Sequence, residues 1–200
     1  MSLRAAEQDR PDVARARRRW RGWQRFMDAA RFVFLDETAA TTAVTRLRGW
    51  GERGERLVDT APRVRWQTTT FVAGLRGTGL VAPLVLSGPM TGAWFRAYVE
   101  QVLAPALQPG DVVVMDNLAA HKVTGVQDAI QAVGASVLYL PPYSPDLNPI
   151  ERFFAKLKSG LRTAAARTKE ALWATIGTLL EEITPDECAN YLVNCGYDPV

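Results

Sequence analysis

Three acidic residues close distinctive stretches of this chain. Asp116 follows the apolar run Val112-Val113-Val114-Met115 and precedes Asn117. Glu151 follows Pro141-Pro142-Tyr143-Ser144-Pro145-Asp146-Leu147-Asn148-Pro149-Ile150, and 34 residues separate it from Asp116. Asp36 ends a second apolar run, Phe32-Val33-Phe34-Leu35. Carboxylates at the edges of regular elements are hard oxygen donors. Three of them in one place would hold two divalent ions, Mg²⁺ or Mn²⁺, against a phosphodiester. Zinc chemistry lacks its ligands: His121 is the only histidine, and Cys188 and Cys195 form no CxxC pair.

Each acid also has an ordinary structural role open to it. Asn148 suits an N-cap and Pro149 the first helical position, so Glu151 would reach back to close a capping box. Asp116 before Asn117 suits a turn at a strand end, and Asp36 suits a cap. Taken singly these roles are the better reading; the combination favours chemistry. Clustered carboxylates are costly to bury without cations, and these motifs hold no matching set of Lys and Arg.

The elements that must position the acids follow from periodicity. Residues 11–30 read as a helix, 32–36 as a strand buried on both faces, and Thr38–Arg63 as a loose basic loop containing Gly49, Gly51 and Gly54. In an extended chain Glu37 points away from Asp36, so one of the two can face a given site. Arg65–Leu75 and Leu80–Leu86 form a hairpin about Gly77-Thr78-Gly79. Thr91–Leu107 is a helix, Asp111–Asp116 a strand, Val123–Val133 a helix and Ala135–Leu140 a strand. Helices follow at Asn148–Leu161, Thr168–Ile183 and Pro185–Asn194. Strands joined by helices imply parallel pairs and the hairpin implies antiparallel ones. A mixed α/β sheet with helices on both faces results.

Bulk properties fit one ordinary globular domain. The chain has 200 residues and a net charge of +3. It contains no apolar run long enough for a membrane span and no secretory signal, and its cysteines read as small buried hydrophobes in a reducing compartment. Charge is unevenly placed. Residues 1–31 carry nine arginines against four acids, with Arg15, Arg17, Arg18, Arg19 and Arg21 nearly adjacent, a pattern that suits a polyanion such as DNA. Trp20, Trp23 and Phe26 recur among them at helical spacing and need a surface to cover.

Phe34-Leu35-Asp36-Glu37-Thr38, Met115-Asp116-Asn117-Leu118-Ala119-Ala120-His121-Lys122 and Leu140 to Glu151 together resemble the three acidic blocks of the mariner-type bacterial insertion-sequence transposases, of the DDE superfamily. The resemblance runs from about Arg31 to Cys195. It implies a ribonuclease-H-like fold with a five-stranded mixed sheet, and Asp36, Asp116 and Glu151 as ligands of two Mg²⁺ or Mn²⁺ ions. It also implies cleavage at element ends and strand transfer into target DNA, usually at a TA step. Asn117 and Asp146 are then candidates for orienting the acids. His121 would touch a phosphate or hold its loop, Asn148 caps or neighbours the site, and Lys122, Arg152, Lys156, Lys158 and Arg162 are candidate phosphate contacts.

Residues 1–30 then form a basic helical lead-in and 31–200 the catalytic domain. The lead-in is too short for the helix-turn-helix module that reads terminal repeats, which many relatives encode in a separate frame. The expected partners are double-stranded DNA, a second copy of the chain as a dimer, and that separate module. The expected location is the cytoplasm, on the nucleoid when DNA is bound. Two other readings stay open: a ribonuclease-H-like structure-specific nuclease, and an inactive DNA-binding remnant of a transposon.

Overall fold

The computed structural model describes residues 5–43, 52–56, 58 and 67–198. Helix α1 (Pro11–Gln24) starts with proline at its first position, where the missing N–H costs nothing. It stops six residues short of the expected end, because the Asp28 carboxylate accepts from the Ala30 N–H and caps a short 3₁₀ turn, Ala29–Arg31. That turn feeds strand β1 (Phe32–Thr41).

Strand β1 runs well past Asp36, which corrects the expectation that Asp36 ends a strand and that a loop begins at Thr38. Thr38 and Ala40 are buried and Ala39 is exposed, an alternation that small residues disguise in the sequence. Of the rest of the expected basic loop, Arg46, Arg48, Gly49 and Gly51 lie outside the described residues, while residues 52–56 form an exposed turn and Val58 is exposed. The hairpin follows as β2 (Thr68–Arg76) and β3 (Gly79–Ser87). Gly74 is required inside β2: a Cβ there would sit 2.6 Å from Val33 Cγ1, at the bulge that shifts the β2–β3 register.

Helix α2 (Gly92–Tyr98), capped by Thr91, continues through a wide π turn (Val99–Leu103) and a 3₁₀ turn (Ala104–Ala106), covering the expected helix. Strand β4 (Val112–Met115), helix α3 (Val126–Ala132) and strand β5 (Ser136–Tyr139) come next. Helices α4 (Ile150–Ala164), α5 (Lys169–Glu181) and α6 (Pro185–Asn194) close the chain.

The five strands lie in the order β3-β2-β1-β4-β5. β1 pairs antiparallel with β2 and parallel with β4, and β4 pairs parallel with β5. Two apolar cores flank the sheet. Phe32, Phe34 and Val114 face one core with Phe153, Phe154, Ile176 and Leu192 of α4, α5 and α6. Val33, Leu35, Val113 and Met115 face the other with Phe95, Val99 and Ile130. Each fully buried side chain of this size contributes about 2–3 kcal/mol, so both layers are needed to hold the sheet. Among the described residues no helix is long and apolar enough to cross a membrane.

Candidate active site

Strand alternation decides which way each acid faces. Asp36 shares the parity of Phe32 and Phe34, and so faces the layer that contains α4. Phe34 pairs with Val114, so two residues further along come Asp36 on one strand and Asp116 just beyond the other. The loop from β5 to α4 then brings Glu151 into the first turn of α4. Asp36, Asp116 and Glu151 line one cleft of about 420 Å³, together with Asn148, Leu118 and Tyr143.

The expected capping box is absent. Pro149 stands at the N-cap of α4 with no side-chain cap bond. Asn148 is drawn instead to Asp36, its Nδ2 donating to Oδ2 over 2.9 Å, and Glu151 only donates its backbone N–H to the Asn148 carbonyl. The other Asp36 oxygen accepts from the Glu37 N–H at 2.8 Å. Asp116 Oδ1 accepts from the Leu118 N–H, closing a local turn at the strand end.

Glu37 is the residue that sequence reasoning left without a task. Alternation sends it to the α2 face, where its Oε2 lies 2.8 Å from His121 Nε2. His121 Nδ1 lies 2.7 Å from Asp116 Oδ1, and the imidazole stacks on Phe95 with centroids 4.4 Å apart. The ring is completely buried between Glu37, Asp116 and Phe95. The signal was present in the chain: Glu37 next to Asp36 must serve the opposite face, and the one histidine lies five residues beyond Asp116.

The charges are strongly coupled. Burial, then the nearby Glu151 and Asp116, push the Asp36 carboxyl up to about 8. Burial alone would lower His121, but the Asp116 and Glu37 carboxylates raise it to about 10, leaving an imidazolium clamped between two acids. Partial burial would raise Asp116; His121 and the Leu118 N–H outweigh it and hold the carboxyl below its usual range.

Other expected contacts lie elsewhere. Asp146 does not orient an acid: both of its oxygens bind Arg17, and Arg21 joins at 3.0 Å. Asn117 donates to the Leu140 carbonyl at 2.6 Å, tying the end of β4 to the end of β5 instead of gripping a carboxylate. Lys156 points to α6, where both oxygens of Glu187 bind it, so it does not offer its charge at the cleft. Lys122 lies over the Tyr139 ring at 5.2 Å. Arg152 is exposed beside Cys195, and Lys158 is half-buried about two turns along α4 from Glu151. Of the aromatics that need a surface to cover, Trp20 finds one: it is buried and donates to the Tyr197 hydroxyl at 2.9 Å, whereas Trp23 and Phe26 are exposed. Both cysteines are buried and free.

Among the described residues no group of three Asp, Glu, His or Cys side chains stands ready-made around an ion. The donor set nevertheless fits a hard divalent cation in kind. The cleft offers three carboxylates, and Asn148, which also lines it, has a buried Oδ1 without a hydrogen-bond partner among the described residues. A cation would replace the proton that the crowded Asp36 carboxyl otherwise keeps.

A five-stranded mixed sheet, helices on both faces and acids gathered where β1 and β4 run parallel define a ribonuclease-H-like domain. The chain belongs to the DDE superfamily endonuclease family, whose model matches residues 31–173. No curated protein sequence matches it. Its fold is that of the mariner transposase Mos1. The Mos1 paired-end complex with left transposon end superposes with a TM-score of 0.79 at 18% identity, over 98% of this chain and 62% of that one. The Mos1 strand transfer complex gives 0.78 at 18% identity, over 96% and 60%. The Mos1 catalytic domain with Raltegravir and Mn gives 0.69 at 17% identity, over 98% and 92%. The chain thus spans about three fifths of the Mos1 chains in the DNA complexes and nearly all of the isolated catalytic domain.

Proposed function

We propose that this chain is the catalytic domain of a mariner-type transposase that cuts and joins DNA with Asp36, Asp116 and Glu151 holding two Mg²⁺ or Mn²⁺ ions. The observation that carries the reading is that carboxylates from β1, the end of β4 and the start of α4 line one cleft. Bound there, divalent ions would supply Lewis acidity at the attacking and leaving oxygens of a phosphodiester. The protein's own contribution is positional. Asn148 fixes Asp36, and the Glu37–His121 pair fixes Asp116. The prolines of the loop before α4 limit the freedom lost in presenting Glu151. Leu118 and Tyr143 form an apolar rim beside the acids. No nucleophilic side chain is required, because water or a DNA 3′-hydroxyl attacks directly. The partners in this reading are transposon-end and target DNA, a second copy of the chain, and a separately encoded helix-turn-helix portion; the setting is the cytoplasm.

The test has two readouts. Wild-type chain should nick duplex DNA only with Mg²⁺ or Mn²⁺ and should bind Mn²⁺, as followed by electron paramagnetic resonance. Asp116→Asn should lose nicking at least 100-fold and bind Mn²⁺ more weakly while keeping its circular dichroism spectrum. Metal-independent nicking, or an Asp116→Asn protein as active as wild type, would refute the proposal. Preferential cleavage of RNA–DNA hybrids would point to the nuclease alternative.

A further inference from the structure

The buried face of α1 consists of Val13, Arg17, Trp20 and Gln24. At about 100° per residue, Arg15, Arg18, Arg19, Gly22 and Trp23 share an arc of about 140° centred on the opposite side. Arg15, Arg18, Arg19 and Trp23 are exposed, Trp23 at 47%. Arg15, Arg18 and Arg19 have no acidic partner among the described residues, unlike Arg17 and Arg21, which hold Asp146. Asp12, in the first turn of the helix, is engaged by Arg10 at 2.8 Å, and Asp28, just past its end, by Arg31 at 3.0 Å. The Arg19 guanidinium is held 4.3 Å over the Trp23 ring, and Phe26, just past the helix, is 82% exposed beneath Arg25.

Gly22 is the second observation. A glycine inside a helix weakens it, and here nothing inside the molecule asks for one: a Cβ would meet no atom within 4 Å. It leaves a notch in the middle of the arginine stripe, where a bulky group from outside can approach the backbone.

We infer that the outer face of α1 is a docking surface for the sugar–phosphate backbone of duplex DNA. Three exposed guanidiniums along one side, without an acidic partner among the described residues, match the charge of a phosphate row. Arg19 is pre-organised by Trp23, and the glycine notch admits the backbone between flanking arginines. The inference rests on the proposal that DNA is the substrate, and it extends DNA contact to a helix that precedes the matched family region. Contacts of this kind carry no base information, so this face would hold flanking duplex of any sequence while the acids act elsewhere.

The test compares the chain with the variant Arg15→Gln/Arg18→Gln/Arg19→Gln on a random-sequence duplex across a salt series, with melting temperature as the control for folding. Each lost phosphate contact lowers the slope of log K against log salt by about 0.9, so the triple variant should lose about 2–3 from the slope and weaken binding at low salt at least tenfold. Gly22→Glu supplies the readout that a structural role cannot imitate: its melting temperature should stay level or rise while DNA binding weakens. The comparison is made in a chelator, where no nicking is expected, which separates failure of this inference from failure of the metal chemistry. An unchanged slope in the triple variant overturns the inference. So does a shift in sedimentation from dimer to monomer without change in DNA affinity, which would assign the face to a second copy of the chain.

Discussion

Asp36 and His121 each hold a proton more tightly in the folded chain than in the unfolded one, and this sets how the metal-free chain responds to pH. Asp36 titrates near 8 when folded and near its usual 3.8 when unfolded, so the folded chain holds the extra proton between those values. Stability therefore falls as pH rises through that window. His121, near 10 when folded against 6.5, adds a loss of the same sign from about pH 6.5 upward. The melting temperature in a chelator should decline between pH 6 and 9. Asp36→Asn should flatten the part below pH 8 and raise the melting temperature at pH 7.5 by several degrees, because a neutral amide can pair with Asn148 after a flip of that side chain. A melting temperature that rises with pH over this range would contradict the assigned charges. Glu37 acts through His121. Glu37→Gln keeps the volume but removes one of the two carboxylates beside the imidazole, and Mn²⁺ affinity should drop by about 10–100-fold with the far-ultraviolet spectrum unchanged. Equal Mn²⁺ affinity would reduce the pair to packing.

At the scale of elements, the loop from β5 to α4 is held from outside by α1. Arg17 is buried, and one of its nitrogens donates to the Tyr143 carbonyl, Ser144 Oγ and Asp146 Oδ1 at 3.2, 2.7 and 2.9 Å. Its other nitrogen reaches Asp146 Oδ2 at 2.7 Å, and Gln8 also donates to the Tyr143 carbonyl. Tyr143 sits in the left-handed region with φ of 55°, a conformation that costs a non-glycine residue about 1 kcal/mol and that these bonds hold in place. Arg17→Met removes the donors and leaves their acceptors exposed to partial burial. It should cost about 2–3 kcal/mol in denaturant unfolding and speed hydrogen exchange of the amides in 141–149 more than those of β4. Uniform exchange would show that the loop holds its shape without α1. Most of the architecture was legible from apolar runs, proline and glycine. The hairpin, β4, β5, α5 and α6 lie close to where periodicity puts them. What escaped were the long-range polar ties. Asp146 lies five residues before Glu151 and invites a role beside it, yet its charge is satisfied by Arg17, 129 positions away in the sequence. Asn148 looked like a cap because its pairing with Asp36, 112 positions away, leaves no local trace.

For the whole molecule, the question is where the domain begins. Residues 1–30 read as a lead-in, and the family match starts at residue 31, yet α1 is built into the core. Trp20 is 5% exposed and belongs to the same cluster as Phe34, Phe153 and Tyr197. Its Nε1 donates to the Tyr197 hydroxyl, which itself donates to the Leu147 carbonyl in the loop before α4, and Gln24 donates to the Cys195 carbonyl at 2.8 Å. The helix therefore joins the last turn of the chain to the loop that presents Glu151. Removing it uncovers Tyr197 and the edge of the aromatic cluster. Loss of Trp20 and Val13 from the interior alone costs about 5 kcal/mol, comparable to the entire stability of many domains. A chain consisting of residues 31–200 should lose near-ultraviolet circular dichroism, bind a hydrophobic dye and show no cooperative melt. If that fragment instead melts at the temperature of the full chain, α1 is an appendage and its hold on the loop before α4 is incidental to the fold.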